Sequence, residues 1–137
     1  MIHPSSVISK EAEIADDVFI GPFCIIRGRV KLGRGCRLDS HVSLGSDYGI
    51  TEIGERNVFC AGAVVGGPPQ DLSYKNEATR LYIGNDNIIR EMVTINIGSP
   101  KAGWGTTRVG SNCLIMAYSH VAHDCNIGSH VVIANTT

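Results

Sequence analysis

A short segment near the end of the chain, Tyr118 to Cys125, holds the residue types best suited to proton transfer. It places His120, His123 and Asp124 within a few positions of one another. An imidazole can take a proton from a hydroxyl or amine nucleophile near neutral pH, and a carboxylate beside it can orient the ring and stabilise its charged form. We interpret His123 as a candidate general base and Asp124 as its candidate partner. A solvent-exposed or interface pair of histidines is the alternative interpretation.

The same histidines also allow a metal site as an alternative. His120, His123 and His130 could supply imidazoles to zinc from neighbouring chains, although their spacing is not specific. His130 precedes a small apolar residue in an ordinary repeat, which favours a surface position. The five cysteines, at positions 24, 36, 60, 113 and 125, form no CxxC pair. The cysteine pattern therefore argues against a disulfide framework and against a zinc site built on cysteines, and the histidine site stays an alternative.

Residues that could recognise a substrate lie in a polar segment further back in the chain. Gln70 and Asp71 open the run Gln-Asp-Leu-Ser-Tyr. Amides and carboxylates can hold sugar hydroxyls or the edge of a uracil base, although polar loops are common without such a role. The basic strip from Arg27 to Arg37 could meet an acidic carrier protein or a phosphate, and otherwise is a solvated face.

Large apolar residues recur every six positions along most of the chain, and this repeat predicts the scaffold that positions the candidate residues. This period belongs to neither an α-helix nor a flat strand. The series runs through Ile2, Ile8, Ile14, Ile20, Ile26, Leu32, Leu38 and Leu44, then Ile53, Phe59 and Val65, then Ile83, Ile89 and Ile95, and finally Val109, Ile115, Val121, Ile127 and Ile133. Three such hexads would close one triangular coil, and the coils would stack as parallel strands do. The pattern therefore predicts an all-β fold, a parallel β-helix built from hexapeptide repeats around an axial core.

A second track of smaller residues lies four positions after many of the large ones. Its members are Ala12, Val18, Cys24, Val30, Cys36, Val42, Cys113, Cys125 and Val131. Small residues suit the corners of such a coil, where room is limited, so the cysteines on this track are interpreted as reduced, buried side chains. Because Val121 and Cys125 belong to the two inward tracks, His120, His123 and Asp124 must point outward or lie at a corner.

Two segments leave the pattern and are predicted to project as loops, at about residues 66–82 and 96–108. Both contain glycine and proline, which interrupt regular strands. Loops held by a rigid scaffold often carry function, so the chemistry is expected there and on the outer faces. The 137 residues are predicted to form a single domain.

Composition excludes several classes of protein. With 43% hydrophobic and 18% charged residues, the chain should fold rather than stay disordered. The formal charge of −1 gives no basis for binding nucleic acid or an anionic membrane surface. Neither a signal peptide nor a membrane-spanning stretch is evident, and we expect a cytoplasmic protein.

Several segments resemble the UDP-N-acetylglucosamine acyltransferases that begin lipid A synthesis in Gram-negative bacteria. They are the opening Ile2-His3-Pro4, the hexad from Ile20 to Cys24, the triplet Gln70-Asp71-Leu72, the run IIREMVTI from Ile88 to Ile95, and the segment from Met116 to Asp124. The resemblance covers the whole chain but only about the first half of that family's usual length. The family's C-terminal helical domain is therefore expected to be absent.

The resemblance implies a left-handed β-helix that forms a homotrimer, with active sites in clefts between neighbouring subunits. His123 would deprotonate the glucosamine 3-hydroxyl, which attacks a 3-hydroxyacyl thioester on acyl carrier protein, with Asp124 supporting the base. Gln70, Asp71 and His120 would lie near the nucleotide sugar or acyl chain, and Asn135 would contact the donor or acyl chain. No metal or tightly held cofactor is implied.

The sequence departs from that family at three positions. Ser73 stands where the family usually has lysine, and Asn96 and Ile97 stand where it usually has histidine and arginine. These departures leave open whether the acceptor sugar offers a hydroxyl or an amine. A catalytically inactive trimeric scaffold and a carbonic-anhydrase-like metal β-helix are the alternative functions.

Overall fold

The chain winds into a triangular prism of stacked coils. The computed structural model describes residues 1–102 and 104–137. Its strands are β1 (Val7–Ile8), β2 (Glu13–Ile14), β3 (Phe19–Ile20), β4 (Ile25–Leu32), β5 (Arg37–Leu38), β6 (Ser43–Ile53), β7 (Val58–Phe59), β8 (Val64–Gly67), β9 (Arg80–Ile83), β10 (Ile88–Ile89), β11 (Thr94–Asn96), β12 (Thr106–Val109), β13 (Leu114–Ile115), β14 (His120–Val121), β15 (Asn126–Ile127) and β16 (Val132–Ile133). The one helical element among the described residues is a 3-10 turn, Pro100–Ala102. The predicted all-β parallel architecture is confirmed.

Every described strand pairing is parallel, and the pairings define three faces. Face 1 stacks β1, the start of β4, the start of β6, β8, β11 and β14. Face 2 stacks β2, the end of β4, the end of β6, β9, β12 and β15. Face 3 stacks β3, β5, β7, β10, β13 and β16. Strands β4 and β6 run through the corner between face 1 and face 2.

The large residues of the six-residue rhythm form the axial core, as predicted. Leu38, Leu44, Ile83 and Ile115 are fully buried. Exposure rises toward both ends of the stack: Ile127 and Ile133 are partly buried, and Ile2, bridged to Ile20 alone, is 46% exposed. The period of six therefore marks the inward position of each short strand.

The small track carries a feature that the sequence pattern did not indicate, a ladder of buried asparagines. Asn57 and Asn87 occupy small-track positions and are fully buried. The Asn57 side chain donates to the carbonyl of Gly84 (2.8 Å) and accepts from the backbone N–H of Asn87 (3.0 Å). Asn87 repeats this bonding toward the next coil, with Gly110 and Cys113. These amides join three successive coils, and each is satisfied by backbone groups of the next coil.

The cysteines of the small track are buried as interpreted at positions 24, 36 and 113, whereas Cys125 is only partly buried. All five are free thiols, and three of them are buried. Burial raises the pKa of the Cys24 and Cys36 thiols, which keeps them protonated. The Cys36 thiol points at the carbonyl of Gly54 at 3.1 Å, so it serves as a weak donor inside the corner.

Both insertions leave the prism at the corner between face 1 and face 2. Residues 68–79 connect β8 to β9 and are named loop 1; residues 97–105 connect β11 to β12 and are named loop 2. Both are shorter than the predicted segments because the flanking strands extend into them and stay paired, as β9 does with β6 and β12. No helix of the described chain is long and apolar enough to cross a membrane.

Candidate active site

Four of the candidate residues, Gln70, Asp71, His123 and Asp124, lie at one corner of the prism. Loop 1, loop 2 and the turn Ala122–Cys125 all connect face 1 to face 2, in successive coils, and together they are named the site corner. The turn at Ala122–Cys125 has no insertion, because Val121 and Ile127 keep the regular spacing of six. It therefore lies directly beside loop 2 of the preceding coil.

His123 and Asp124 form a hydrogen-bonded pair at this turn. The two atoms joined are His123 Nδ1 and Asp124 Oδ2, at 2.9 Å. The imidazole side chain is 30% exposed and the carboxylate only 10%. The sequence allowed this pairing without requiring it, since adjacent residues often point apart. The structure thus gives the candidate base a carboxylate partner and leaves part of the ring open to the surface.

The Asp124 carboxylate is held by loop 2. Its Oδ1 accepts from the Ser99 backbone N–H at 2.8 Å, and its Oδ2 accepts from the Ser99 hydroxyl at 2.5 Å. Burial alone would raise the pKa of Asp124, but the hydrogen bonds from Ser99 and His123 outweigh it and lower the pKa below its ordinary value. An ionised carboxylate can only accept, so His123 Nδ1 must carry the proton. The free lone pair of the neutral ring then lies on Nε2, where a general base needs it.

The backbone at Asp124 adopts a left-handed conformation, with φ of 67°. Asp is one of the few residues other than glycine that tolerates this region. The turn is fixed further because the Asp124 N–H donates to the hydroxyl of Thr107 at 2.9 Å, and Thr107 is fully buried. The carboxylate is therefore oriented both through its oxygens and through its own backbone.

Loop 2 closes tightly at its base. Gly98 donates its N–H to the carbonyl of Arg80 at 2.9 Å. A methyl group on Gly98 would collide with the backbone of Gly105 and Thr106, where the two legs of the loop meet. Only glycine permits this approach, and it brings Ser99, which is 1% exposed, against Asp124.

An ion pair joins loop 1 to loop 2. Asp71 Oδ2 lies 3.0 Å from Lys101 Nζ. The backbone N–H and the hydroxyl of Ser73 both donate to Asp71 Oδ1, at 2.9 and 2.8 Å. The hydrogen bonds from Ser73, supported by Lys101, lower the pKa of Asp71 to about 2. Asp71 is therefore a fixed negative charge at neutral pH, and the two loops form one connected unit.

The other predicted site residues are placed as follows. Gln70 is exposed on loop 1. His120 is exposed on face 1, where its Nδ1 lies 2.7 Å from the hydroxyl of Thr94 in the neighbouring coil. Asn135 is exposed at a different corner, between face 3 and face 1, so one chain does not gather it with His123.

The three departures from the family pattern have different surroundings. Ser73 folds back on Asp71, as described. Ile97 is fully buried and belongs to the core. Asn96 is 8% exposed, and its Oδ1 is buried without a hydrogen-bond partner in the described chain. Within residues 1–102 and 104–137, no three His, Cys, Asp or Glu side chains are grouped as metal ligands would be.

The fold and the site corner define the class of hexapeptide-repeat β-helices. The family described as "Bacterial transferase hexapeptide (six repeats)" matches residues 11–46 and 106–137. Two curated relatives are named acyl-[acyl-carrier-protein]–UDP-N-acetylglucosamine O-acyltransferase. That of Thermodesulfovibrio yellowstonii is 51% identical over 98% of this chain and 50% of the relative. That of Syntrophobacter fumaroxidans is 48% identical over the same shares, 98% and 50%.

Solved structures agree with these relatives. LpxA from Acinetobacter baumannii superposes with a TM-score of 0.93 at 44% identity, over 98% of this chain and 51% of that one. The chain belongs to the hexapeptide-repeat acyltransferase family that includes these UDP-N-acetylglucosamine O-acyltransferases. Its β-helix is left-handed, as in that family. The chain spans about half the length of the relatives it matches.

Proposed function

We propose that the chain is the acyltransferase part of an enzyme of lipid A biosynthesis. It would transfer a 3-hydroxyacyl group from acyl carrier protein to the 3-hydroxyl of UDP-N-acetylglucosamine. The observation that carries the proposal is the His123–Asp124 pair, in which Nδ1 faces the carboxylate, Nε2 is left as the free base, and the imidazole side chain is 30% exposed. The names of the relatives supply the substrates. Acyl carrier protein is a cytoplasmic donor, so the proposal places the reaction in the cytoplasm.

The proposed reaction is general-base acyl transfer. His123 Nε2 takes the proton of the sugar hydroxyl while that oxygen attacks the thioester carbonyl carbon. The resulting imidazolium is stabilised by the Asp124 carboxylate, which stays ionised because Ser99 also donates to it. When the tetrahedral intermediate collapses, the carbon–sulfur bond breaks and the departing thiolate takes the proton from His123. The ester and the free thiol are the products, and the base is regenerated.

The substrate-binding residues are assigned by chemistry and position. Gln70 is exposed beside the fixed negative charge of Asp71. The Gln70 amide and the Asp71 carboxylate can both bond the hydroxyls or the base of the nucleotide sugar. His120 lies on the outer side of face 1, in the strand that leads directly into the turn of His123, and is assigned to the sugar or the acyl chain. Asn135 is assigned to the donor or acyl chain of a site completed by another subunit. The chemistry needs no metal ion and no cofactor.

The outer surfaces of the prism support a homotrimer. Face 3 presents a column of mostly apolar residues, namely Phe19, Arg37, Val58, Ile88, Leu114 and Val132. Face 1 presents Val7, Ile25, Ser43, Val64, Thr94 and His120, which carry no fixed charge. Face 2 instead presents Glu13, Lys31, Glu52, Tyr82, Arg108 and Asn126. Two faces with a single charged residue between them, Arg37, and one charged face fit a prism that meets a neighbour on each of two sides.

The corner between face 3 and face 1 continues this apolar surface. Phe23, Met92 and Tyr118 are exposed along it, at 59, 48 and 64%. Placed near a three-fold axis, this corner would be covered by its symmetry copies. The site corner then lies at the border between the buried face 1 and the solvated face 2. That border is where a cleft between two subunits would open, with His123 from one and loop 1 from the next.

The first experiment measures transfer directly. Purified chain is incubated with 3-hydroxyacyl-acyl carrier protein and either UDP-N-acetylglucosamine or its 3-amino analogue, and products are identified by mass spectrometry. We expect an ester with the hydroxyl acceptor, and a loss of turnover of about 10³-fold or more in His123→Ala. His130→Asn is the matched control, because His130 is an exposed histidine with φ of 59° and asparagine tolerates that conformation. Unchanged turnover in His123→Ala would remove His123 as the base.

A second experiment tests whether each site is shared between subunits. His123→Ala and Gln70→Ala chains are each expected to be inactive, and are mixed, unfolded and reassembled in equal amounts. If one site takes His123 and Gln70 from different chains, about a quarter of the sites in random mixed trimers contain both native residues. If both residues act within one chain, the mixture stays inactive. The mixture of each variant with itself provides the baseline.

A further inference from the structure

Beyond the proposed base and its carboxylate, the site corner contains a third member of the same chain of hydrogen bonds. This member is Ser99, to which the sequence pattern assigned no role. Its hydroxyl and His123 Nδ1 meet on the same oxygen of Asp124, at 2.5 and 2.9 Å. Its backbone N–H holds the other oxygen at 2.8 Å. Both carboxylate oxygens are thus engaged by one residue of loop 2.

We propose that Ser99 is a positioning residue that fixes the Asp124 carboxylate, and through it the orientation and tautomer of His123. This inference rests on the proposed function, since it concerns the base of that reaction. With both oxygens held, the carboxylate plane cannot rotate, and His123 can form its bond only in one ring orientation. The ring is then presented to the substrate in a single arrangement, which is what an efficient base requires.

Burial favours this role over a merely structural one. Ser99 is 1% exposed and Thr107 fully buried, so water does not compete for the bonds that they make to residue 124. Loop 2 is also anchored on its far side, where Lys101 pairs with Asp71 of loop 1. The hydroxyl of Ser99 therefore reaches Asp124 from a loop that is fixed at two points.

Few other charged groups face this carboxylate from the elements packed against it. Lys101 on loop 2 is engaged with Asp71, and Arg108 on β12 stacks on the ring of Tyr82 at 4.9 Å. On β14 the imidazole of His120 is bonded to Thr94. Apart from its burial, which raises the pKa of Asp124, the ionisation of this carboxyl is consequently governed by Ser99 and His123, and a change at Ser99 should alter it.

The test is a titration of the Asp124 carboxyl carbon by NMR between pH 2 and 7, in the full chain. Ser99→Ala removes the hydroxyl and keeps the backbone donor, so we expect the Asp124 midpoint to rise by about one pH unit. Ser99→Thr retains a hydroxyl and should restore the native midpoint. Ser119→Ala is the matched control, because Ser119 is equally buried but donates to the carbonyl of Ala134. Removing the Ser119 hydroxyl should leave the titration midpoint of Asp124 unchanged.

Kinetics provide the second readout. In Ser99→Ala we expect kcat to fall about tenfold with KM for the UDP-sugar changed less than about twofold, because orientation and not binding is lost. An unmoved Asp124 midpoint in folded Ser99→Ala, or a midpoint that Ser99→Thr does not restore, would overturn the proposal. A native chain without transferase activity would refute the proposed function instead, and the titration would still decide the role of Ser99.

Discussion

Replacing Asp124 with asparagine tests the reasoning about the site at its most sensitive point. Three donors converge on this carboxylate, namely the N–H and O–H of Ser99 and Nδ1–H of His123. An amide of the same shape has one acceptor oxygen and one NH₂ group. The oxygen must stay opposite the Ser99 N–H, because two donors would otherwise face each other inside the protein. The NH₂ then occupies the place of Oδ2, against the Ser99 hydroxyl and the imidazole.

This arrangement forces a change in His123. The Ser99 hydroxyl can rotate and accept from the amide, but Nδ1 of His123 can accept only if it carries no proton. The ring must then carry its proton on Nε2, where the proposed mechanism needs a lone pair. A wrong tautomer in a comparable His–Asp pair lowers kcat by about 10⁴-fold, and we expect a loss of about 10³- to 10⁴-fold for Asp124→Asn. The lost charged hydrogen bonds should cost about 2 kcal/mol of folding free energy.

Two measurements separate the predicted cause from simple unfolding. The ¹⁵N chemical shifts of His123 report which ring nitrogen carries the proton. We expect them to show a protonated Nδ1 in the native chain and a protonated Nε2 in Asp124→Asn. Turnover with UDP-N-acetylglucosamine and acyl-acyl carrier protein gives kcat, and a thermal melt verifies that the variant is folded. If folded Asp124→Asn keeps native kcat, or loses it with Nδ1 still protonated, the tautomer argument is wrong.

Three further predictions concern the core, the assembly and the charge on loop 1. Leu38→Ala should lower the free energy of unfolding by about 3 kcal/mol in urea, because Leu38 is fully buried, whereas Tyr82→Ala on face 2 should cost less than about 1 kcal/mol. Ile88→Glu on face 3 should convert the proposed trimer to monomers in analytical ultracentrifugation, and Tyr82→Glu should leave it intact. Because the pKa of Asp71 lies at about 2, the stabilisation from its ionised form should be complete at pH 5 and disappear as the pH falls through about 2. A carboxyl titration by NMR should show that midpoint and its rise in Lys101→Met; a midpoint near 4 in the native chain would contradict the pairing.

The core could be predicted from the sequence because its rule is local. A short strand turns one side chain inward in every hexad, so Leu44 and Ile89 are identified by counting alone. The same counting shows that His123 cannot be in the core. Counting does not identify Asn57 and Asn87 as core residues, because a polar residue at an inward position interrupts the apolar pattern. Their amides are tolerated because each one bonds a backbone N–H and a backbone carbonyl of the next coil.

The contacts of the site could not be predicted because they depend on loop length. Where the coils are regular, stacked residues are 18 positions apart, as Ser111 and Ser129 are. With loop 1 between them the separation grows to 30, as for Asn57 and Asn87. Across loop 2, Ser99 and Asp124 are 25 positions apart. No period connects such pairs, so the sequence identified the base and its neighbour but not the serine that orients them.

The location of the insertions explains why chemistry and stability are separated in this fold. At the corner between face 1 and face 2 the register already shifts within β4, between Arg27 and Arg29. In the next coil Leu44 and Ile53 are nine positions apart instead of six, and the two following coils carry loop 1 and loop 2. The inward residues on either side stay buried throughout, so extra residues at this corner leave the axial core intact. A turn without an insertion, such as Ala122–Cys125, then lies beside a loop that can reach over it. Substitutions in loop 2 should therefore alter the Asp124 carboxylate while leaving the axial core, and most of the folding free energy, unchanged.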